Sequence, residues 1–210
     1  MPNERVFRAD LRRLADRIDE RGIVARERLN PLIDKLTDLH KRGLVKINHS
    51  AMEIVVAAHF ISRGYDVDVE VPIDDLKCDL LCVKGSSKVV VEVETGYVPP
   101  EHALDPDSFC RARIASKIAR YSVHSDMFYL AAPPTYLMEI PPFVLLPPEE
   151  RSDSELMRWK SLLDVYYTNP PVDLDVLRRA RLDGIVITSV DDCSINELSP
   201  LAYVKLFKIF

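Results

Sequence analysis

The sequence is short of the signatures that announce a chemistry. Its four cysteines, Cys78, Cys82, Cys110 and Cys193, form no CxxC pair, and no histidine stands at zinc-finger spacing from them. Small core hydrophobes and reduced thiols are therefore expected, not a zinc site or a disulfide scaffold. Six glycines are too few for a flexible linker protein. GxxxxGK[ST], GxGxxG and GxSxG are all absent, so nucleoside-triphosphate, dinucleotide and serine-hydrolase chemistry is unsupported. No apolar run approaches the ~18 residues of a membrane span. The first residues mix acids with arginines and lack the apolar stretch of a secretory signal, so a cytoplasmic location is expected. No internal repeat or low-complexity tract is present.

What is present is an ordinary globular mixture, 47% hydrophobic and 29% charged, with net charge −5. A chain of this length buries roughly 70% of its unfolded surface without a staple. The charge is unevenly placed. Residues 1–50 sum to +4, 51–107 to −8, 108–124 to +4 with no acid at all, and the remainder to −5. An acidic protein is not an obvious nucleic-acid binder. An acidic centre between basic segments fits a cation-binding cleft flanked by phosphate contacts, and it equally fits a solvated mosaic.

Periodicity supplies the elements. Val6, Leu11, Leu14 and Ile18 predict a helix over 5–20, and Leu29, Leu32, Ile33, Leu36 and Leu39 a second over 25–41, each stopped by a glycine. Residues 1–46 thus read as an N-terminal α-hairpin. A long apolar helix over 51–62 follows, with Asn48 or Ser50 as its cap. Strands are expected over 65–71, 77–84 and 88–95, the last two joined by a tight turn at Gly85-Ser86-Ser87. After a proline-bearing loop come a helix over 107–124 and a strand over 127–132. The order α-β-β-β-α-β over 47–134 predicts an α/β fold with a mixed central sheet. Residues 135–210 read as a C-terminal extension completing the core. It holds helices near 152–167 and 172–181, a strand over 184–189, and a last stretch, 201–210, of strand or helix character.

The informative residues are acids in apolar company. Glu53 lies in AMEIVVAAHFI, where a helix apolar all round must be buried and a carboxylate needs an offsetting partner. In KVVVEVET, alternation puts Glu92 and Glu94 on one face with Val90. A turn at Gly85-Ser86 pairs Asp79 with Glu92, and a turn at Ser86-Ser87 pairs it with Glu94. Either register sets all three acids on one face. Like charges that close call for a cation, and hard oxygen ligands suit Mg²⁺ or Mn²⁺. Asp79 and Glu92 are the expected metal ligands.

These residues in this order resemble the PD-(D/E)xK nuclease superfamily, which includes restriction endonucleases and archaeal Holliday-junction resolvases. The resemblance covers about residues 48–132. It implies a restriction-endonuclease-like core and a divalent-metal-dependent endonuclease acting on duplex or branched DNA, working as a homodimer. Glu53 matches the glutamate of the first core helix, Asp79 the aspartate of the second core strand, and Glu92 the first acid of the (D/E)xK triplet. Two departures stand out. Glu94 occupies the lysine position, as in some restriction enzymes of the superfamily, and Cys78 replaces the proline before Asp79.

Arg113, Lys117 and Arg120 lie at i, i+4 and i+7 on the helix after the loop. Lys117 is therefore a candidate for the missing lysine, orienting the scissile phosphate or the attacking water. Arg113 and Arg120 are candidate contacts to flanking phosphates, and a solvent-facing basic stripe is the plain reading of the same residues. Asp66, Asp68 and Glu70 alternate along the first strand and are expected on a solvent face, where one could still add a ligand. His59 reads as structural, and His102, in the proline-bearing loop, as an exposed residue that could also approach the cleft. Tyr97 stacks on a base or packs in the core. The alternatives to an enzyme are a catalytically inactive module of the same fold for DNA binding or protein assembly, and an interaction protein built on the α-hairpin.

Overall fold

The computed structural model describes residues 2–207. Helix α1 (Pro2–Glu20) buries Phe7, Leu11, Leu14 and Ile18, which repeat at i, i+4, i+7 and i+11 along one face. The stripe runs through Phe7; Val6 is exposed. The expected second helix is divided. A 3₁₀ turn at Arg26–Arg28 precedes α2 (Asn30–Lys41), because Pro31 fits a first helical turn and would break a helix that began at 25. Helix α3 (Ile47–Ser62) starts one turn earlier than its apolar run suggested. It follows an extended Lys46, and neither Asn48 nor Ser50 caps it through its side chain. Both hairpin helices pack on α3, and α3 packs on the sheet, so the hairpin and the sheet share one apolar core.

The sheet has six strands in sequence order: β1 (Asp66–Ile73), β2 (Leu76–Lys84), β3 (Ser87–Val93), β4 (Met127–Ala132), β5 (Gly184–Ser189) and β6 (Ser194–Leu198). β1 to β3 form an antiparallel meander, β3, β4 and β5 run parallel, and β6 returns antiparallel to β5. This is an α/β architecture with a mixed sheet. Helix α4 (Pro106–Tyr121) carries the chain from β3 to β4, and α5 (Asp153–Tyr166) with α6 (Leu174–Arg179) from β4 to β5. These helices cover the face opposite α3, around a second core containing Ile114, Ile118, Phe128 and Trp159. Helix α7 (Pro200–Phe207) settles the character of the last stretch as helical; residues 208–210 of it lie outside the described residues. Strand β6 was not anticipated, since an edge strand reading SINEL carries no apolar alternation. No described helix is long and apolar enough to cross a membrane.

Three local features position the site. Lys84 pairs with Ser87, so the turn is Gly85-Ser86 and the register brings Asp79 level with Glu92. Val89, Val91 and Val93 enter the core under α3, and alternation turns Glu92 and Glu94 toward α4. Just beyond β3, Gly96 has φ +77°, and a Cβ there would stand 2.8 Å from the Tyr136 ring. Only glycine permits both the turn and the close approach.

Candidate metal centre

Asp79 stands between two groups of charged side chains. On the α4 side, its Oδ2 accepts the Val93 N–H at 2.7 Å, and its own N–H donates to Glu92 Oε1 at 3.0 Å. The two carboxylates are thus locked by the strand backbones that carry them. Lys117 reaches across from α4, with its Nζ 3.0 Å from Glu92 Oε2, 3.0 Å from Glu94 Oε1 and 3.4 Å from Asp79 Oδ2, and it donates to the Val93 carbonyl at 3.0 Å. Glu94 Oε2 is 2.9 Å from Arg113 Nε, and the Arg113 guanidinium also donates to the Tyr97 carbonyl and lies over the Phe109 ring.

On the α3 side, His49, Glu53, Glu70 and Asp79 each offer one ligand atom, and these four atoms lie within 4.8 Å of one another. His49 Nε2 is 3.4 Å from Asp79 Oδ2, and its Nδ1 is 3.5 Å from Glu53 Oε2. Glu53 is fully buried and neither of its oxygens accepts a hydrogen bond. Its contact with His49 is too long to count as one. A buried carboxylate with neither oxygen hydrogen-bonded by the protein is costly unless a cation completes it. Glu70 joins from β1 through a backbone irregularity. Its φ is +51°, in the left-handed region, and this turns the side chain into the protein instead of along the solvent face. Lys77 forms an ion pair with its Oε2. The group opens on a cleft of about 670 Å³ whose walls include Val45, Lys46, Lys77 and Tyr97.

The electrostatics of the two sides differ. Burial opposes the charge on Lys117, but Asp79, Glu92 and Glu94 outweigh it and carry the ammonium well above its ordinary range. Burial also opposes the charge on Asp79, yet Lys117 and then His49 hold its carboxyl below the usual carboxylate range. Burial raises Glu92 to about 8, against the pull of Lys117. Burial raises Glu53 to about 7, with His49 only partly opposing it. Burial works to lower His49, and the carboxylates of Asp79 and Glu53 override it and raise the imidazole to about 11. The His49 imidazolium therefore serves as a counter-charge that a stronger cation would replace.

Of the residues singled out in the sequence, Asp79, Glu92, Glu94 and Lys117 meet around one ammonium, and Arg113 joins them through Glu94. Glu53 meets Asp79 from the opposite side of the sheet. Asp79 belongs to both groups; Glu92 lies outside the four-residue ligand group. Arg120 stands apart: its guanidinium donates to the Pro170 carbonyl at 2.5 Å and covers the Tyr167 ring. His59 pairs with Glu197, in keeping with a structural role, whereas His102 is half-buried against Phe109 and not exposed. Tyr97 is exposed at the cleft. His49 and Lys77 escaped sequence reasoning. The signal for His49 is its i, i+4 spacing to Glu53, which the apolar run does not reveal because it begins only at Ala51. No protein-family model, curated protein or solved structure matches this chain.

Proposed function

We propose that this protein is a divalent-metal-dependent phosphodiesterase acting on DNA, a nuclease of the PD-(D/E)xK kind whose lysine is supplied by helix α4 as Lys117. The observation that carries the reading is the placement of Asp79. It joins a half-buried His49 and the buried Glu53 and Glu70 on one side to a lysine held by Glu92 and Glu94 on the other. The donor set fits a divalent cation: three carboxylates and one imidazole, with two unpartnered buried oxygens on one of the carboxylates, Glu53. Asp79, Glu53, Glu70 and His49 would hold it, in place of the Asp79–Glu92 pair expected from the sequence. A cation of this class polarises a phosphoryl oxygen and makes water more acidic.

The chain's own groups do the rest. Glu92 fixes Asp79 through the Asp79 N–H and fixes Lys117 through Oε2. Glu94, in the position where the resemblance calls for lysine, positions that lysine instead of replacing it. Lys117, pinned between three carboxylates and a carbonyl, presents a permanent positive charge beside Asp79, where a phosphate oxygen would be oriented and stabilised. The test is cleavage of duplex, single-stranded and branched DNA in Mg²⁺ and in Mn²⁺, with Asp79→Asn as control. Cleavage abolished by the substitution is expected. Intact DNA under every condition would overturn the enzyme reading. The saturation of Lys117 by its own carboxylates favours the second reading, an inactive binding module, and Mn²⁺ binding without cleavage would establish it.

A further inference from the structure

We propose that Lys77 and a divalent cation compete for the Glu70 carboxylate, so that cation binding delivers the Lys77 ammonium to a substrate phosphate in the same cleft. This rests on the metal-dependent reading above and adds to it a substrate-binding residue whose availability depends on the ion.

The argument starts from the unequal burial of the two partners. The Glu70 side chain is 4% exposed and is turned inward by the left-handed backbone at that residue. The Lys77 side chain is 44% exposed and lines the cleft. The carboxylate is held and the ammonium is not. Apart from its ion pair with Glu70, Lys77 is anchored through its backbone. It pairs with Pro72 across β1, and its carbonyl accepts the Tyr121 hydroxyl at 3.0 Å. Its four-carbon stem is left to swing while the strand stays in place.

Glu70 is one of the four residues whose ligand atoms converge, and Lys77 occupies one of its oxygens. A divalent cation taking that oxygen brings two positive charges against an ammonium that has just lost its partner. Repulsion sends the side chain outward, and outward is the cleft. Of the other cations there, His49 sits between Asp79 and Glu53, and Lys46 lines the cleft but pairs with none of the four ligand residues, so its position does not depend on the ion. Lys117, for its part, is saturated by Asp79, Glu92, Glu94 and the Val93 carbonyl. A phosphodiester entering the cleft therefore meets a cation that its own metal requirement has released. Ion first, nucleic acid second, becomes the favoured order, and each strengthens the other.

The test uses the full chain with Lys77→Met, which keeps the length of the stem and removes the charge, and Lys77→Arg, which restores a charge. Mn²⁺ is titrated calorimetrically without nucleic acid. A phosphorothioate single-stranded oligonucleotide is then titrated with and without Mn²⁺. Lys77→Met is expected to bind Mn²⁺ about tenfold tighter, because a competing charge is gone. Its gain in oligonucleotide affinity on adding Mn²⁺ should shrink by about threefold to tenfold, because a phosphate contact is gone. Lys77→Arg should return both values toward wild type. A Lys77→Met protein with wild-type Mn²⁺ affinity and a wild-type Mn²⁺-dependent gain would overturn the competition and leave the metal-dependent reading intact. A wild-type chain that takes up no Mn²⁺ would overturn both.

Discussion

Replacing Glu53 by glutamine should shift the stability of the metal-free protein, relative to wild type, progressively upward as pH rises. Glu53 is fully buried with no hydrogen-bond partner on either oxygen. Burial pushes its carboxyl from the ordinary 4.5 up to about 7. At ~1.4 kcal/mol per tenfold change in proton affinity, that displacement is worth about 3 kcal/mol. The folded chain holds this proton more tightly than the unfolded chain does. Below about pH 4.5 the carboxyl is neutral in both states and costs nothing. Between pH 4.5 and 7 the unfolded state ionises first and folding loses stability, and above 7 the full cost is present. Glutamine does not titrate. It brings a buried amide with its own penalty of ~1–3 kcal/mol, but that penalty is the same at every pH. The stability of Glu53→Gln relative to wild type should therefore rise by about 3 kcal/mol between pH 4.5 and 7.5. Urea unfolding in the presence of a chelator reads it, followed by the fluorescence of the single tryptophan, Trp159, which is buried in the second core. Mn²⁺ should then reverse the order: at a hundred times its Kd it stabilises wild type by ~2.7 kcal/mol and leaves the variant unmoved. A stability difference that stays flat across this pH range would refute the account of Glu53 as an unpartnered buried acid.

Lys117→Ala should lower DNA turnover about a hundredfold or more while changing DNA affinity several-fold at most, because its ammonium faces the reacting centre and not the cleft rim; equal losses in both would reduce it to a phosphate contact. The same substitution strands three carboxylates, so unfolding free energy should fall by ~3–5 kcal/mol in chemical denaturation. Mn²⁺ binding should expel the His49 proton, whose pKa is raised to about 11, so calorimetric heats at pH 7.5 should scale with buffer ionisation enthalpy and affinity should climb with pH toward that value. His49→Gln should abolish the buffer dependence, and a wild-type protein whose heats ignore the buffer would place His49 outside the ligand set. Tyr97→Ala should weaken single-stranded DNA binding by ~1–3 kcal/mol with Mn²⁺ affinity unchanged, measured by fluorescence anisotropy and calorimetry; unaltered DNA binding would remove Tyr97 from the interface.

Strand parity made the α4 side of the site legible. Once Gly85-Ser86 closes the hairpin, the register of β2 and β3 fixes Asp79 beside Glu92, and alternation alone turns Glu92 and Glu94 to one face. The spacing of Lys117 on an amphipathic helix then brings a cation within reach. The α3 side was less legible because it depends on two exceptions to periodicity. Glu70 alternates with Asp66 and Asp68 as a solvent-facing residue would, and only its left-handed backbone carries it inside. Nothing in the residue type announces that angle. His49 belongs to a helix whose start is marked by no side-chain cap, so the turn that aligns it with Glu53 reads as a capping segment ahead of the helix. The edge strand β6 is invisible for a related reason: its neighbours supply its hydrogen bonds, and its own side chains carry no apolar pattern.

The contrast between the two sides of Asp79 indicates which one exchanges its cation. On the α4 side the counter-charges are enclosed, with Lys117 20% and Arg113 16% exposed. They contact three carboxylates and two carbonyls between them, so removing either cation would leave buried charge unpaired. That arrangement is built to stay. On the α3 side the counter-charges are a histidine, which can give up its proton, and a 44%-exposed lysine, which can swing away. The acid they leave least satisfied is Glu53, which has two buried oxygens without a hydrogen bond and no ion pair closer than 3.5 Å. A divalent ion entering from the cleft therefore meets replaceable cations first and permanent ones behind them. Asp79 connects the two because its Oδ2 faces His49 as well as Lys117. Asp79→Asn should accordingly cost both Mn²⁺ affinity and the position of Lys117, whereas Glu92→Gln should disturb Lys117 and leave Mn²⁺ binding within a few-fold of wild type. Calorimetry on the two variants separates these outcomes, and a loss of Mn²⁺ binding in Glu92→Gln as large as in Asp79→Asn would move the ion to the α4 side.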